Sequence, residues 1–144
     1  RLLNIHVGLS PYYRGSGTNF WPLVNREPEF VGATIHYLDA GIDTGPIVAH
    51  VRPQIRLGDD PHDIGNEAIK AAADKMVDAV QAHRAGTIKS RPQVSRGRLY
   101  QRKNFSADAV RCLYEQFRTG IISEYLEHKV ERDACLDLVS LEAA

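Results

Sequence analysis

The chain has 144 residues, the length of one ordinary domain. Its 18 Lys and Arg balance 18 Asp and Glu, so a formal charge of zero gives no general argument for nucleic acid or an anionic membrane as partner. With 43% hydrophobic and 25% charged residues the composition is that of a globular domain, which excludes compositional disorder, and no apolar run approaches the ~18 residues of a membrane helix.

In chain order, residues 2–7 (Leu-Leu-Asn-Ile-His-Val) read as a short buried strand. Residues 8–17 hold Gly8, Pro11, Gly15 and Gly17 and read as loop. Residues 19–25 are apolar and helical, with Trp21 and Pro22 near the start. Residues 31–38 (Val-Gly-Ala-Thr-Ile-His-Tyr-Leu) have the β-branched and aromatic content of a strand. A Gly/Asp loop follows over 39–45, then a third strand over 46–55, in which Pro53 argues for a sheet edge or a bulge. Asp60 caps the clearest helix, with Pro61 at its first position and Asp63 near its positive end. Ile64, Ala68, Ala71, Ala72, Met76, Ala79 and Val80 recur there at helical spacing until Gly86. Residues 98–105 form a basic stretch with a short strand. Ser106 caps a helix running to 118, and a further single helix is expected over 121–132. Residues 136–144 are amphipathic at best and are expected to be loosely held.

Three or four strands and one long helix indicate an α/β or α+β sheet domain, one whose sheet would take further strands from elsewhere. The chain opens on Arg1 inside an apolar run, from which further sequence upstream is expected. Cys112 and Cys135 lack CxxC spacing and read as free thiols of a reducing, cytoplasmic compartment, with a single disulfide left open.

Chemistry concentrates in three residues. Asn4 and His6 are two apart on a strand and so share a face, at the strand's carboxyl end. Asp43 lies in the loop after the next strand, between Gly41 and Gly45. If those strands are neighbours, an amide donor, an imidazole and a carboxylate surround one point. The amide suits a developing oxyanion, the imidazole a proton, and the carboxylate an imidazolium. No activated Ser or Cys accompanies them, so the set suits direct attack on a carbonyl by an external nucleophile. Against this, a lone strand His is commonly structural and an Asp between glycines commonly forms a turn.

Other constellations are weaker. His36, Asp39, Asp43 and His50 are close in sequence but lack metal-site spacing. Gly15-Ser16-Gly17 is a short nest without GxGxxG and reads as a turn. Arg96, Arg98, Arg102 and Lys103, with Tyr100 and Phe105, read as a solvated basic edge, with phosphate contact as the sharper alternative.

Asn4-Ile-His6, Gly8-Leu-Ser-Pro11, Tyr13-Arg-Gly15 and the run from Gly32 to Gly45 (Gly-Ala-Thr-Ile-His-Tyr-Leu-Asp-Ala-Gly-Ile-Asp-Thr-Gly) together resemble the folate-dependent formyltransferases, over residues 1–90. That family includes glycinamide ribonucleotide, methionyl-tRNA and nucleotide-amino-sugar formyltransferases, with formyltetrahydrofolate hydrolase as a relative. The resemblance implies that Asn4 binds the formyl oxygen, that His6 stabilises the tetrahedral intermediate and moves protons, and that Asp43 works with His6 through water. It implies main chain of Leu38, Asp39, Ala40 and Gly41 against the pteridine, 10-formyltetrahydrofolate as formyl donor, and no metal. The implied fold is the second half of a Rossmann-like formyltransferase sheet over 1–90, its N-terminal half lying outside this chain, with a C-terminal extension of two helices over 91–144. One departure is Ser10, where the family's S-L-L-P carries an apolar residue. The segments 19–22 and 99–105 lean toward the amino-sugar branch. The expected partner is a small-molecule amine rather than nucleic acid or membrane, with homodimer formation across an exposed sheet edge. A formyltetrahydrofolate hydrolase and a non-catalytic folate-binding or interaction half-domain are the alternatives.

Overall fold

A computed structural model describes residues 1–141. A three-stranded antiparallel sheet lies at its centre, in the order β1 (Leu3–His6), β3 (Ala33–Tyr37), β4 (Ile47–Val51). Inside the segment read as loop, β2 (Tyr13–Gly15) pairs in parallel with β5 (Arg98–Tyr100) to make a second sheet. Local sequence hides β2, because its three residues extend only by pairing with a partner 85 residues on. The helices are α1 (Trp21–Val24), α2 (Pro61–Arg84), α3 (Ala107–Arg118), α4 (Ile121–Glu127) and α5 (Lys129–Asp133). No helix of the described residues is long and apolar enough to cross a membrane.

The strand period of two divides the central sheet into unlike faces. Leu3, Ile5, Ile35, Tyr37 and Ala49 share the face that packs on Met76 and Ala79 of α2. Asn4, His6, Thr34, His36 and His50 share the other: Asn4 lies opposite His36, and Thr34 lies between His6 and His50. That polar face is roofed by residues 8–15. β4 ends at Val51, two residues before Pro53, because proline has no N–H for the ladder. A register slip between Ile35 and His36 supplies the irregularity.

The cap of α2 forms as its sequence dictates. Asp60 accepts from His62 and Asp63 main-chain N–H groups at 2.7 and 2.8 Å, and Asp63 accepts from the Asp60 N–H at 3.0 Å. The helix joins two cores. Ile64 packs with Leu23, Val31, Ile55, Leu113, Ile121, Ile122 and Tyr125, while Ala79, about 22 Å further along the axis, belongs to the sheet core.

The single helix expected over 121–132 is two, broken at His128, so the segment after residue 90 holds three helices rather than two. The break accompanies tertiary anchors that a straight helix would have to satisfy in one line: Arg52 pairs with Asp133 at 2.8 Å and Arg132 with Glu29 at 2.8 Å. Burial pushes the Asp133 carboxyl up, but hydrogen bonds from Arg52, Lys129 and Tyr125 outweigh it and hold the pKa at about 2. The basic stretch is not uniformly solvated. Arg98 pairs with Glu27 at 2.5 Å over the Tyr13 ring.

The tail through Leu141 is not loose. The His50 main-chain N–H donates to the Val139 carbonyl at 2.7 Å, and the Val139 N–H donates to His50 Nδ1 at 2.9 Å. Residues 142–144, part of the same expectation, lie outside the described residues. With Nδ1 accepting, His50 Nε2–H donates to the Ser10 carbonyl at 2.7 Å, so one neutral imidazole ties roof, sheet and tail together. Burial, opposed by that Ser10 contact, lowers the His50 pKa below 6.5. The unfolded chain therefore takes up the proton at higher pH than the folded one, and this contribution to stability is lost as pH falls below 6.5. Denaturant midpoints measured at about pH 7 and about pH 5 should drop on acidification in the wild type, and by less in His50→Gln.

Candidate functional site

β1 pairs with β3 antiparallel, so the rule that ligands gather beyond the carboxyl ends of parallel strands does not locate this site. His6 ends β1 opposite Thr34, near the start of β3, whereas the loop holding Asp43 leaves from the far end of β3. That loop must fold back across the polar face to reach His6, and it does.

Several local features turn it. Asp43 adopts φ of +52°, a left-handed conformation that Asp tolerates better than most residues. Its carboxylate accepts the Gly15 N–H at 2.9 Å, and its carbonyl accepts Gln93 Nε2–H at 2.9 Å and the Ser10 hydroxyl at 3.3 Å. Thus Ser10, the departure in the Gly8-Leu9-Ser10-Pro11 segment, holds the Asp43 loop to the roof. Gly45 lets the chain pass under β3: a Cβ there would stand 1.7 Å from the Tyr37 carbonyl oxygen.

The three residues converge. Asp43 Oδ1 lies 3.4 Å from His6 Nδ1 and 3.9 Å from His36 Nε2, and Asn4 Nδ2 lies 3.2 Å from His36 Nε2. The tautomers follow from the partners. His6 Nε2–H donates to the Tyr13 carbonyl at 2.9 Å, so the neutral ring presents a lone pair at Nδ1 toward Asp43. His36 Nδ1–H donates to the Tyr37 carbonyl at 2.9 Å, so its Nε2 accepts one N–H of Asn4. The second Asn4 N–H has no partner among the described residues. His6 is 6% exposed and His36 1%. Burial lowers the His6 pKa, against the Tyr13 carbonyl and the Asp43 carboxylate, which raise it. At neutral pH His6 is therefore an unprotonated base whose incoming proton would sit beside a carboxylate.

From the sequence, His36 stands out only as a metal-ligand candidate. Its contact with Asn4 depends on the antiparallel register, which no local pattern reveals. Leu38, Asp39, Ala40 and Gly41 form an exposed loop beside the site. Two of its amides are engaged, Leu38 N–H with the Leu2 carbonyl at 2.9 Å and Gly41 N–H with Asp39 Oδ1 at 3.0 Å. The Thr44 hydroxyl, ahead of that Gly41 N–H, holds the Asp39 carboxyl below its usual range.

The pattern of the family described as "Formyl transferase" matches residues 1–80. A methionyl-tRNA formyltransferase of Acidothermus cellulolyticus is 33% identical over 107 residues, 74% of this chain and 33% of the relative. Two solved structures share the fold. The formyltransferase PseJ from Anoxybacillus kamchatkensis, in complex with UDP-4,6-dideoxy-4-formamido-L-AltNAc and tetrahydrofolate, has a TM-score of 0.64 at 25% identity, over 71% of this chain and 53% of that one. An N-formyltransferase from Helicobacter canadensis, with folinic acid and dTDP-3-aminofucose, has a TM-score of 0.65 at 26% identity, over 73% and 39%. The chain spans about a third of the length of the curated relatives it matches.

Substituting Gly45→Ala should destabilise the fold by about 3 kcal/mol or more, because the added methyl meets main chain rather than a movable side chain. Thermal or denaturant unfolding of the variant reads this directly.

Proposed function

The chain belongs to the formyl transferase family, and on that footing we propose that it moves a formyl group from 10-formyltetrahydrofolate to the primary amine of a nucleotide-linked amino sugar. The observation that carries the reading is the approach of His6 Nδ1 to Asp43 Oδ1 at 3.4 Å beside an Asn4 amide with an N–H to spare. The folate supplies the formyl carbon, and the exposed loop of Leu38, Asp39, Ala40 and Gly41 holds its pteridine. Asn4 donates its second N–H to the formyl oxygen as that oxygen gains negative charge. His6 takes the proton from the attacking amine at Nδ1 and returns it to the leaving nitrogen. Asp43 faces Nδ1 throughout and favours the charged ring between those two events. His36 positions Asn4 by accepting its first N–H.

Two solved relatives, one in complex with a formamido-sugar nucleotide and one with an amino-sugar nucleotide, together with a formal charge of zero, support the sugar acceptor. A second reading, methionyl-tRNA as acceptor, is favoured by the curated relative at 33% identity. Tetrahydrofolate release from 10-formyltetrahydrofolate, followed with a nucleotide amino sugar, with charged initiator tRNA and with no amine, separates transfer to either acceptor from hydrolysis. The proposal fails if release is independent of amine.

Asn4→Ala should lower kcat about 10²–10³-fold and His6→Ala about 10²–10⁴-fold, the latter also with a lower unfolding midpoint because the buried Tyr13 carbonyl loses its donor. The wild-type rate should fall on the acid side through a group titrating below 6.5, since protonated His6 cannot take the amine proton. Asp43→Asn should move that limb to still lower pH by removing the carboxylate that favours the charged ring. A pH–rate profile for each variant is the measurement.

A further inference from the structure

A cavity of ≈ 530 Å³ shares the loop that carries Asp43 and lies against the segment leading into β5. Its walls include Arg14, Asp39, Ile42, Gln93 and Arg96. Arg14 is 7% exposed. Its Nη1 donates to the Ile42 carbonyl at 3.3 Å and its Nη2 to the Gly97 carbonyl at 3.5 Å, both long bonds to neutral groups, and its buried Nε has no partner. The other well-packed arginines each hold a carboxylate, Arg52 that of Asp133 and Arg132 that of Glu29. Arg14 holds none among the described residues. A buried cation without a counter-charge is unfavourable unless an anion completes it.

The same wall carries an unmet acceptor. Gln93 Nε2 donates to the Asp43 and Gly45 carbonyls at 2.9 and 2.8 Å, which orients the amide and leaves buried Oε1 without a donor. Arg96 adds a second positive charge, and Asp39 a negative one already engaged by Thr44 and Gly41. The lining is therefore net positive by one charge, two cations less one carboxylate.

We propose that this cavity is a binding subsite for an oxyanion flanked by a hydrogen-bond donor, with Arg14 as its buried anchor, Arg96 at its rim and Gln93 Oε1 for the donor. A guanidinium fork matches phosphate and carboxylate oxygens alike. Because the Asp43 loop forms part of both this cavity and the proposed reaction site, the anion belongs to one of the two reactants, a statement that rests on the formyl-transfer reading. Its carrier is either the acceptor's diphosphate or the glutamyl tail of the folate.

The test is calorimetric titration of the ligand-free protein with pyrophosphate, and separately with mono- and polyglutamylated tetrahydrofolate. The wild type should bind pyrophosphate, or bind the polyglutamate more tightly than the monoglutamate; the first result assigns the subsite to the acceptor and the second to the folate. Arg14→Gln and Arg96→Ala should each weaken that binding about tenfold or more, with Arg14→Lys recovering part of it. If Arg14→Gln does not fold, the exposed Arg96→Ala carries the measurement. Should Arg14 serve only as a strap between the Ile42 and Gly97 carbonyls, Arg14→Gln would lower the unfolding midpoint and leave anion affinity unchanged, overturning the proposal. Absence of anion binding in the wild type overturns it equally. Anion binding that persists in a protein unable to transfer formyl groups would count against the reaction and not against the subsite.

Discussion

One face of the central sheet carries an amide, a hydroxyl and three imidazoles, with His6, Thr34 and His36 buried and Asn4 and His50 half-buried. Water is largely excluded from it, so each of these groups must find a partner within the protein or lose the hydrogen bonds it makes when unfolded. The surrounding segments answer that demand. The roof over residues 8–15 offers carbonyls to His6, Thr34 and His50, and the tail at Val139 completes His50. The strand face opposite needs only apolar contact and receives it from α2. The polarity of one face therefore decides which elements must be brought over it.

The same demand sets the geometry of the candidate site. His6 and His36 each spend one ring nitrogen on a main-chain carbonyl, and this leaves the remaining nitrogen of each for a side-chain partner. His6 then faces Asp43, while His36 faces Asn4. Rigid main-chain acceptors hold both rings, so their orientation does not depend on a bound ligand. Burial lowers the His6 pKa and the neighbouring carboxylate opposes that tendency. The candidate site and the packing around it draw on the same hydrogen bonds.

Much of this was legible locally. The Asp60-Pro61-Asp63 start of α2 carries its own cap and its own dipole match, so the helix begins where its residues say it must. Ser106 likewise caps α3. The β-branched run around Ile35 could be little else but strand. Asn4, His6 and Asp43 were recognisable as chemistry-bearing types, and their order along the chain carried the family resemblance. Short or tertiary-dependent elements were not legible. Tyr13–Gly15 is extended only because Arg98–Tyr100 lies beside it, and the break at His128 goes with contacts to Arg52 and Glu29 more than 70 residues away. The burial of Arg14 belongs to the same class, since nothing in Tyr-Arg-Gly distinguishes a cavity wall from a solvated turn.

The sequence by itself determined the three central strands, the capped starts of α2 and α3, the two-residue spacing that sets Asn4 and His6 on one face, and the membership of a family that handles formyl groups. Those properties depend on neighbours within a few residues, where period, capping and side-chain volume act. Tertiary structure alone decided that β1 and β3 run antiparallel, that the Asp43 loop doubles back over the sheet, that His36 rather than solvent meets Asn4, and that Arg14 ends without a carboxylate among the described residues. Each of these depends on strand register and on the burial of polar groups, which arise only when segments far apart in the chain compete for the same few hydrogen-bond partners.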